Sequence, residues 1–172
     1  MPCFPSFQDV PILVGNPRTS MDSTKTRAAV LLSAKERLRA IEEELRERIT
    51  DLRSVTIGDD NAESASQTES THGSDVELMN SLGEQLEQTV RDRMLLDGIP
   101  PEQVHAQVEF GSIVHSKERN FLIAVGIDEF TSGGRTYLGL SPRAPLFQGL
   151  QGRKSGDEVE FNKVKYRIIE VH

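Results

Sequence analysis

Apolar residues in the first third of the chain recur at alternating spacings of three and four. The series consists of Leu31, Ala34, Leu38, Ile41, Leu45, Ile49 and Leu52. Charged residues occupy the other faces, and no Gly or Pro interrupts residues 22–53. This near-heptad period predicts a helix of about 28 residues, roughly 42 Å long. Asp22 or Ser23 is its predicted N-cap.

A second apolar series predicts a second helix after a polar break. The break, residues 58–74, is rich in residues that favour turns. Ser74 followed by Glu77 matches a helix capping box, and the helix is expected to end near Gly98. Its apolar side consists of Val76, Met79, Leu82, Leu86, Val90 and Met94. Two helices of similar length joined by a loop predict an antiparallel hairpin.

Beyond Pro101 the pattern changes to short segments bounded by turn residues, which is typical of β-strands. Strands are predicted at residues 108–114, 121–127, 136–140, 158–161 and 166–171. Turns are predicted at Gly133-Gly134, Gly156-Asp157 and Asn162-Lys163, and a short helix at 145–150. The predicted fold class is α+β: an N-terminal antiparallel α-helical coiled-coil hairpin, then a small, mostly antiparallel β domain.

These patterns divide the chain into three segments. Residues 1–21, which contain four prolines, are predicted to be a disordered leader, and Met21 is an alternative natural start. Residues 22–98 form the hairpin, with an acidic tip loop at about 56–74. Residues 99–172 form the β domain.

The excess negative charge lies in the hairpin segment. The chain has a formal net charge of −7, and residues 22–98 carry 17 acids against 10 bases, whereas residues 99–172 carry nine of each. Residues 54–90 contain no Lys or Arg. Such a surface repels phosphate backbones, so direct DNA binding through it is disfavoured. It suits a basic protein surface or a cation.

The chain carries no motif of a self-contained active site. Phosphate-binding loops are absent, and the four histidines are scattered. The single cysteine, Cys3, fits a reducing cytoplasm, and no apolar run approaches the roughly 20 residues of a membrane span. We therefore expect a cytoplasmic, monomeric protein that is not an enzyme, binds no cofactor alone and contacts no membrane.

The acids of the tip are the candidate chemical groups. Asp59, Asp60 and Glu63 cluster after Gly58, and one helical turn would place Asp60 and Glu63 on the same side. Paired carboxylates can hold a hard cation such as Mg²⁺ with other ligands and waters. Acidic, Ser/Thr-rich loops are also often simply solvated.

Several short fragments follow one another at defined spacings in the C-terminal half. These are residues 110–114 (Phe-Gly-Ser-Ile-Val), Ser141-Pro142, Pro145-Leu146, Leu150, Gly152, residues 156–159 (Gly-Asp-Glu-Val) and residues 166–171 (Tyr-Arg-Ile-Ile-Glu-Val). Their order and spacing resemble the C-terminal domain of the Gre-type (GreA/GreB family) transcription elongation factors. A helical hairpin before such a domain is also the architecture of that family.

The resemblance implies an FKBP-like β domain that docks on bacterial RNA polymerase. It implies that the hairpin enters the secondary channel, where two tip acids help hold the second Mg²⁺ of the polymerase. The polymerase then cleaves the 3′ end of backtracked RNA, so the factor contacts nascent RNA only indirectly. By this resemblance Asp59, Asp60 and Glu63 are the tip acids, with Asp60 and Glu63 on the metal.

The same resemblance places Leu140, Ser141 and Pro142 in the surface that contacts the polymerase. The tip motif of the family, Gly-Asp-x-x-Glu-Asn-Ala-Glu-Tyr, is altered here to Gly58-Asp59-Asp60-Asn61-Ala62-Glu63-Ser64. Three alternatives therefore stay open: a channel-binding regulator without cleavage, an FKBP-like prolyl isomerase, and a coiled-coil adaptor.

Overall fold

The computed structural model describes residues 17–58 and 68–172, with side chains for residues 24–54 and 73–172. Helix α1 spans Pro17–Gly58 and helix α2 spans Thr68–Asp97. Residues 17–21 of the expected leader are therefore helical, and Pro17 is well suited to a first helical turn. Both helices also reach into the predicted tip loop, because extending a formed helix costs far less than nucleating one.

The predicted helix caps are wrong. Asp22 and Ser23 lie inside α1, and Ser74 lies inside α2, so neither a cap at residue 22 nor the capping box at Ser74 exists. The helices are correspondingly longer than predicted, at 42 and 30 residues.

The two helices pack antiparallel along the predicted stripe of α1. Leu31, Ala34, Leu38 and Leu45 are buried, whereas Ile41, Ile49 and Leu52 are half-buried. The stripe on α2 differs from the prediction. Leu82 is buried, but Val76 and Met94 are exposed. Arg93 faces α1 in place of Met94. The face of α2 that contacts α1 is therefore shifted here by one residue, or about 100° around the helix axis, from the predicted one.

The β domain contains six strands and one short helix. The elements are β1 (Ile113–Ser116), β2 (Asn120–Ile123), β3 (Ile127–Ser132), β4 (Arg135–Leu140), α3 (Pro145–Leu150), β5 (Glu158–Phe161) and β6 (Val164–Val171). The strand order is β3-β4-β2-β1-β6-β5. All neighbouring strands are antiparallel except β2 and β4, which are parallel. The α+β class and the mostly antiparallel sheet are thus confirmed.

The local predictions for the β domain were partly right. Helix α3 and strand β5 have the predicted bounds. Gly133 and Gly134 both have positive φ, as do Asn162 and Lys163, which is the backbone of a tight two-residue hairpin turn. Strand β3 was missed. The segment predicted as one strand at 121–127 bends after Ile123, and β1 begins at Ile113 instead of residue 108.

The hydrophobic core consists of two clusters, and the first joins the hairpin to the sheet. Val30, Leu31, Ala34 and Leu38 of α1 pack in it with residues of the sheet. From the rest of the chain it contains Leu96, Ile99, Ile113, Leu122, Ala124, Val125, Ile127, Phe130 and Tyr137. The second cluster lies between the sheet and α3 and includes Phe121, Phe147 and Leu150. Among the described residues, no helix has the length and apolar character needed to cross a membrane.

Candidate functional site

The predicted tip acids lie outside the described part of the chain. Asp59, Asp60 and Glu63 fall between Gly58, the last residue of α1, and Thr68, the first residue of α2. Three carboxylates are the oxygen donors that Mg²⁺ prefers. Within residues 24–54 and 73–172, no three His, Cys, Asp or Glu side chains converge to hold a metal.

The Ser-Pro pair lies in a tight turn between β4 and α3. The Ser141 carbonyl oxygen accepts a hydrogen bond from the Ala144 amide at 2.9 Å, and its Oγ accepts one from the Arg143 amide at 3.0 Å. A side-chain oxygen that bonds the backbone two residues on is a common turn stabiliser. The turn leaves Pro142 and Arg143 exposed and Ser141 half-buried. Ser141 and Pro142 are therefore available to a partner.

Leu140, predicted in the same surface, is placed differently. Only 7% of its surface is exposed, and it packs in the second core cluster beside Leu146 and Phe147. Leu140 therefore fixes the start of the turn to the hydrophobic core. A partner that binds this face contacts Pro142 and not Leu140.

The Ser-Pro turn forms one wall of a groove between the hairpin and the β domain, with a volume of about 570 Å³. We call it the docking groove. Its lining is Gln88, Arg91, Asp92 and Leu95 from α2, with Phe110, Ala124, Val125, Gly126, Ser141, Pro142 and Arg143 from the β domain. Two of these are large apolar side chains left in solvent: Leu95 is 52% exposed and Phe110 is 44% exposed. An apolar floor with a polar rim is typical of a protein-binding surface.

The sequence reasoning missed both apolar residues of the docking groove. Phe110 was assigned to the first strand, but strand β1 starts only at Ile113. Leu95 lies next to the seam-facing Leu96, on a different face of α2. Leu95 does not fit the apolar spacing of the α2 residues that face α1, and this mismatch was the sequence signal that could have identified it as a surface residue.

A buried polar joint connects α1 to the β domain. Arg27 of α1 is only 2% exposed, and its guanidinium donates to the His172 carbonyl oxygen at 3.0 Å and to His105 Nε2 at 3.3 Å. His105 Nε2 must then accept, so Nδ1 carries the hydrogen and donates to Glu109 Oε1 at 2.7 Å. Burial lowers the pKa of Arg27. A guanidinium inside a joint between domains fixes their geometry because unpaired burial would be costly.

A second polar cluster sets the register of the hairpin. Glu42 on α1 is 3% exposed and accepts from Arg93 Nε of α2 at 2.6 Å and from Arg46 at 3.1 Å. Lys35 of α1 also pairs with Asp97 of α2 at 3.1 Å. Burial raises the pKa of Glu42, but the hydrogen bonds and charges of Arg93 and Arg46 outweigh it, and the net pKa is lowered. Sliding either helix by one turn would separate Glu42 from Arg93 and leave this buried carboxylate only Arg46 of its own helix as a partner.

Comparison with known proteins gives structural likenesses. No protein-family model and no curated protein sequence matches the chain. The solved structure of the transcription factor Gfh1 is similar over 81% of this chain and 94% of that protein, with 15% identity and a TM-score of 0.34. The prokaryotic transcription elongation factor GreA/GreB from Nitrosomonas europaea is similar over 55% of this chain and 91% of that protein, with 25% identity and a TM-score of 0.30.

The α+β architecture stands on the helices, strands and core of this chain.

Proposed function

We propose that this chain is a Gre-type accessory factor of RNA polymerase that acts in the bacterial cytoplasm as a monomer. In this proposal the docking groove binds the rim of the polymerase secondary channel and the hairpin enters the channel. The tip acids Asp59, Asp60 and Glu63 then stimulate cleavage of backtracked RNA by the polymerase. The chain supplies carboxylates and has no active site of its own.

The observation that carries the proposal is the position of the Ser-Pro turn. The sequence fragments that resemble the Gre-type domain place Ser141 and Pro142 in a partner-binding surface. In the structure the pair borders the docking groove, beside the exposed Leu95 and Phe110. Arg143 on the same groove gives a partner with acidic side chains a cation to pair with, whereas Arg91 already pairs with Glu87 at 3.4 Å.

The length of the hairpin supports insertion into a channel. Leu38 is the last α1 residue of the core shared with the β domain. From Leu38 to Gly58 the helix continues for 20 residues, or about 30 Å at 1.5 Å per residue. The described end of α1, which directly precedes the tip acids in the sequence, therefore lies about 30 Å along the helix from the core shared with the β domain.

The chemistry of the tip supports a metal-directed role. Carboxylate oxygens are ligands for Mg²⁺, and in two-metal phosphoryl chemistry one ion activates a water and the other stabilises the leaving oxygen. In this proposal Asp60 and Glu63 help retain the second Mg²⁺ of the polymerase, and Asp59 adds to the negative potential. In this proposal the Mg²⁺ belongs to the polymerase, and the tip carboxylates become additional ligands when the hairpin has entered the channel.

The proposed docking is tested by measuring the affinity of the chain for purified bacterial RNA polymerase. We expect Phe110→Ala with Pro142→Ala to weaken binding by about tenfold or more, because an exposed aromatic anchor and its rigid neighbour are lost. The matched control is Ile169→Ala, which removes an apolar side chain that is 57% exposed on β6. Equal affinity of the double variant and the control would exclude this surface as the docking site.

The proposed stimulation of RNA cleavage is tested on a stalled, backtracked transcription complex. We expect the wild type to accelerate RNA cleavage and the variant Asp59→Asn, Asp60→Asn, Glu63→Gln to lose that acceleration. The control Glu44→Gln, Glu47→Gln, Asp51→Asn removes the same charge from the shaft. If the wild type binds but accelerates nothing, the chain is the non-cleaving regulator. If both triple variants cleave like the wild type, the tip assignment is wrong.

Neither alternative of another class is favoured by a specific observation. Most aromatic side chains of the β domain pack in the core, among them Phe121, Phe130, Tyr137 and Phe147. An isomerase would need such groups around an open peptide site. Turnover of a prolyl peptide would contradict the proposal, as would a stable dimer formed through the hairpin in sedimentation experiments.

A further inference from the structure

A second cavity, of about 390 Å³, lies where residues 25–30 of α1 meet the β3–β4 hairpin. Its polar lining consists of Lys25 and Thr26 from α1 with Ser132, Arg135 and Tyr137 from the β hairpin. None of these residues lines the docking groove. The cavity is therefore a distinct feature of the hairpin–domain junction.

Two cations from distant parts of the chain face this cavity. Neither Lys25 nor Arg135 lies within ion-pair distance of a carboxylate among the described side chains. On the neighbouring β3, Glu129 is already paired with Arg119 at 3.0 Å. Both residues are exposed and line the cavity, so an anion bound there would be attracted by both charges.

The positive charge of Arg135 also acts on the groups behind the cavity. Burial lowers the pKa of His115, and the charge of Arg135 lowers it further. Burial raises the pKa of Tyr137, and Arg135 opposes that rise through its charge and a hydrogen bond. Arg135 therefore lies close enough to His115 and Tyr137 to act on both groups.

Ser132 adds an unused hydrogen-bonding group. The residue is 6% exposed, and its hydroxyl makes no hydrogen bond with any described residue, although the residue lines the cavity. Among the described side chains the buried polar atoms without a partner are Arg27 Nε and His115 Nε2, so the Ser132 oxygen itself still reaches the open cavity. The Ser132 hydroxyl can donate to an anion between Lys25 and Arg135.

We propose that this cavity binds the phosphate group of a small molecule. An ammonium, a guanidinium and a hydroxyl are the donors that recognise phosphate oxygens. The volume lies within the range of about 300–1,000 Å³ for small-molecule sites, which leaves room for more than the phosphate itself. The ligand bridges α1 and the β3–β4 hairpin, so it stabilises the junction between hairpin and domain. The proposal does not depend on the function proposed above.

The test is a calorimetric and NMR titration of the full chain with inorganic phosphate, pyrophosphate and adenosine diphosphate. We expect saturable binding, with amide shifts at Ser132 and Gly133 and a raised melting temperature. Tighter binding of the nucleotide would identify a nucleoside-borne phosphate, and tighter binding of pyrophosphate a free one. Absence of saturable shifts at Ser132 and Gly133 with all three probes would overturn the proposal.

Matched variants distinguish a specific phosphate site from nonspecific attraction of an anion to positive charge. Lys25→Gln with Arg135→Gln is expected to reduce affinity by about tenfold, because two charge-assisted contacts are lost. Lys154→Gln with Lys163→Gln removes two exposed charges at the other end of the sheet and is expected to change affinity less than about twofold. Ser132→Ala is expected to weaken binding by about threefold. Equal losses in the two double variants would show nonspecific charge attraction and refute the site.

Discussion

The base and the distal half of the hairpin are built from the same two helices, but only the base packs on the β domain. At the base, Val30 and Leu31 are buried in a core shared with the sheet. Farther out, Leu52 is half-buried, and Val76 and Leu78 are 48% and 45% exposed. The distal half therefore depends on helix propensity and on the contacts between the two helices, whereas the base is held by tertiary burial.

This difference suits the two tasks of the proposed function. A base that is continuous with the β domain sets the direction of the hairpin relative to the docking groove. A distal half with few anchored apolar side chains can present different faces to a channel wall. The contrast between the two halves can be measured by substitution.

The largest expected effect is that of Leu38→Ala at the base. Leu38 is 2% exposed in the shared core, so its truncation removes buried surface and leaves a cavity. We expect a loss of about 3 to 4 kcal/mol in the free energy of unfolding, measured by urea denaturation. The control Leu32→Ala, at a residue 54% exposed on the same helix, should change it by less than about 0.5 kcal/mol. Similar losses for both would show that the base is not a packed core.

Gly139→Ala tests the close packing of the sheet against which the base lies. A Cβ at Gly139 would lie 2.6 Å from the Val125 carbonyl oxygen and 2.7 Å from the Ile127 nitrogen, both backbone atoms. We expect a loss of about 2 to 3 kcal/mol in stability, read from thermal unfolding. Gly126→Ala, whose Cβ would meet nothing within 4 Å, is the control. A tolerated Gly139→Ala would contradict the tight crossing between β4 and the turn before β3.

Glu42→Ala tests the polar contact at the boundary between base and distal half. The variant leaves Arg93 and Arg46 without their shared carboxylate. We expect a loss of about 2 kcal/mol at pH 7, less than for a fully buried pair because the arginines reach solvent. Glu47→Ala, an exposed acid on the same helix, should have little effect.

The ion pair between Glu42 and Arg93 predicts that the stability of the protein depends on pH. Because the folded-state pKa of Glu42 is lowered, its stabilisation is present above the unfolded-state value of about 4.3. It is lost as the pH falls through the folded-state pKa. The gap in stability between wild type and Glu42→Gln should therefore be widest at neutral pH and narrow below about pH 4. A gap that is constant from pH 7 to pH 3 would rule out the ion pair as its source.

The smallest expected effect, and the only stabilising one, is that of Gly83→Ala in α2. A Cβ at Gly83 would meet nothing within 4 Å, and Ala is favoured over Gly in a helix by about 1 kcal/mol. We expect unfolding free energy to rise by about 0.5 to 1 kcal/mol. A decrease would show that α2 packs more tightly against α1 at this position than the exposed distal side chains indicate.

The parts of the fold that follow from local pattern were predictable. The apolar spacing from Leu31 to Leu52 identified α1, and Gly133-Gly134 and Asn162-Lys163 identified two tight turns. Strand β3 was missed because Asp128 and Glu129 break its apolar alternation. An edge strand tolerates such exposed acids, so its place at the end of the sheet was needed to recognise it.

The parts that depend on long-range pairing were not predictable. Arg27, His105 and Glu109 are separated by up to 82 positions in the sequence, and nothing local marks them as one network. The apolar face of α2 was misassigned for the same reason. Arg93 enters the seam only because Glu42 is there to pair with it. Of the candidate site, the Ser-Pro turn was found from resemblance, whereas its neighbours Leu95 and Phe110 required the structure.

The core shared by α1 and the sheet also bears on how the protein can fold and be divided. Val30, Ala34 and Leu38 share their core with sheet residues about 75 to 107 positions later in the chain, and contacts of such sequence separation slow folding. Cutting between residues 98 and 99 follows the sequence boundary but divides this hydrophobic core. A free-standing hairpin intended for grafting onto another protein would need new polar residues on that face of α1.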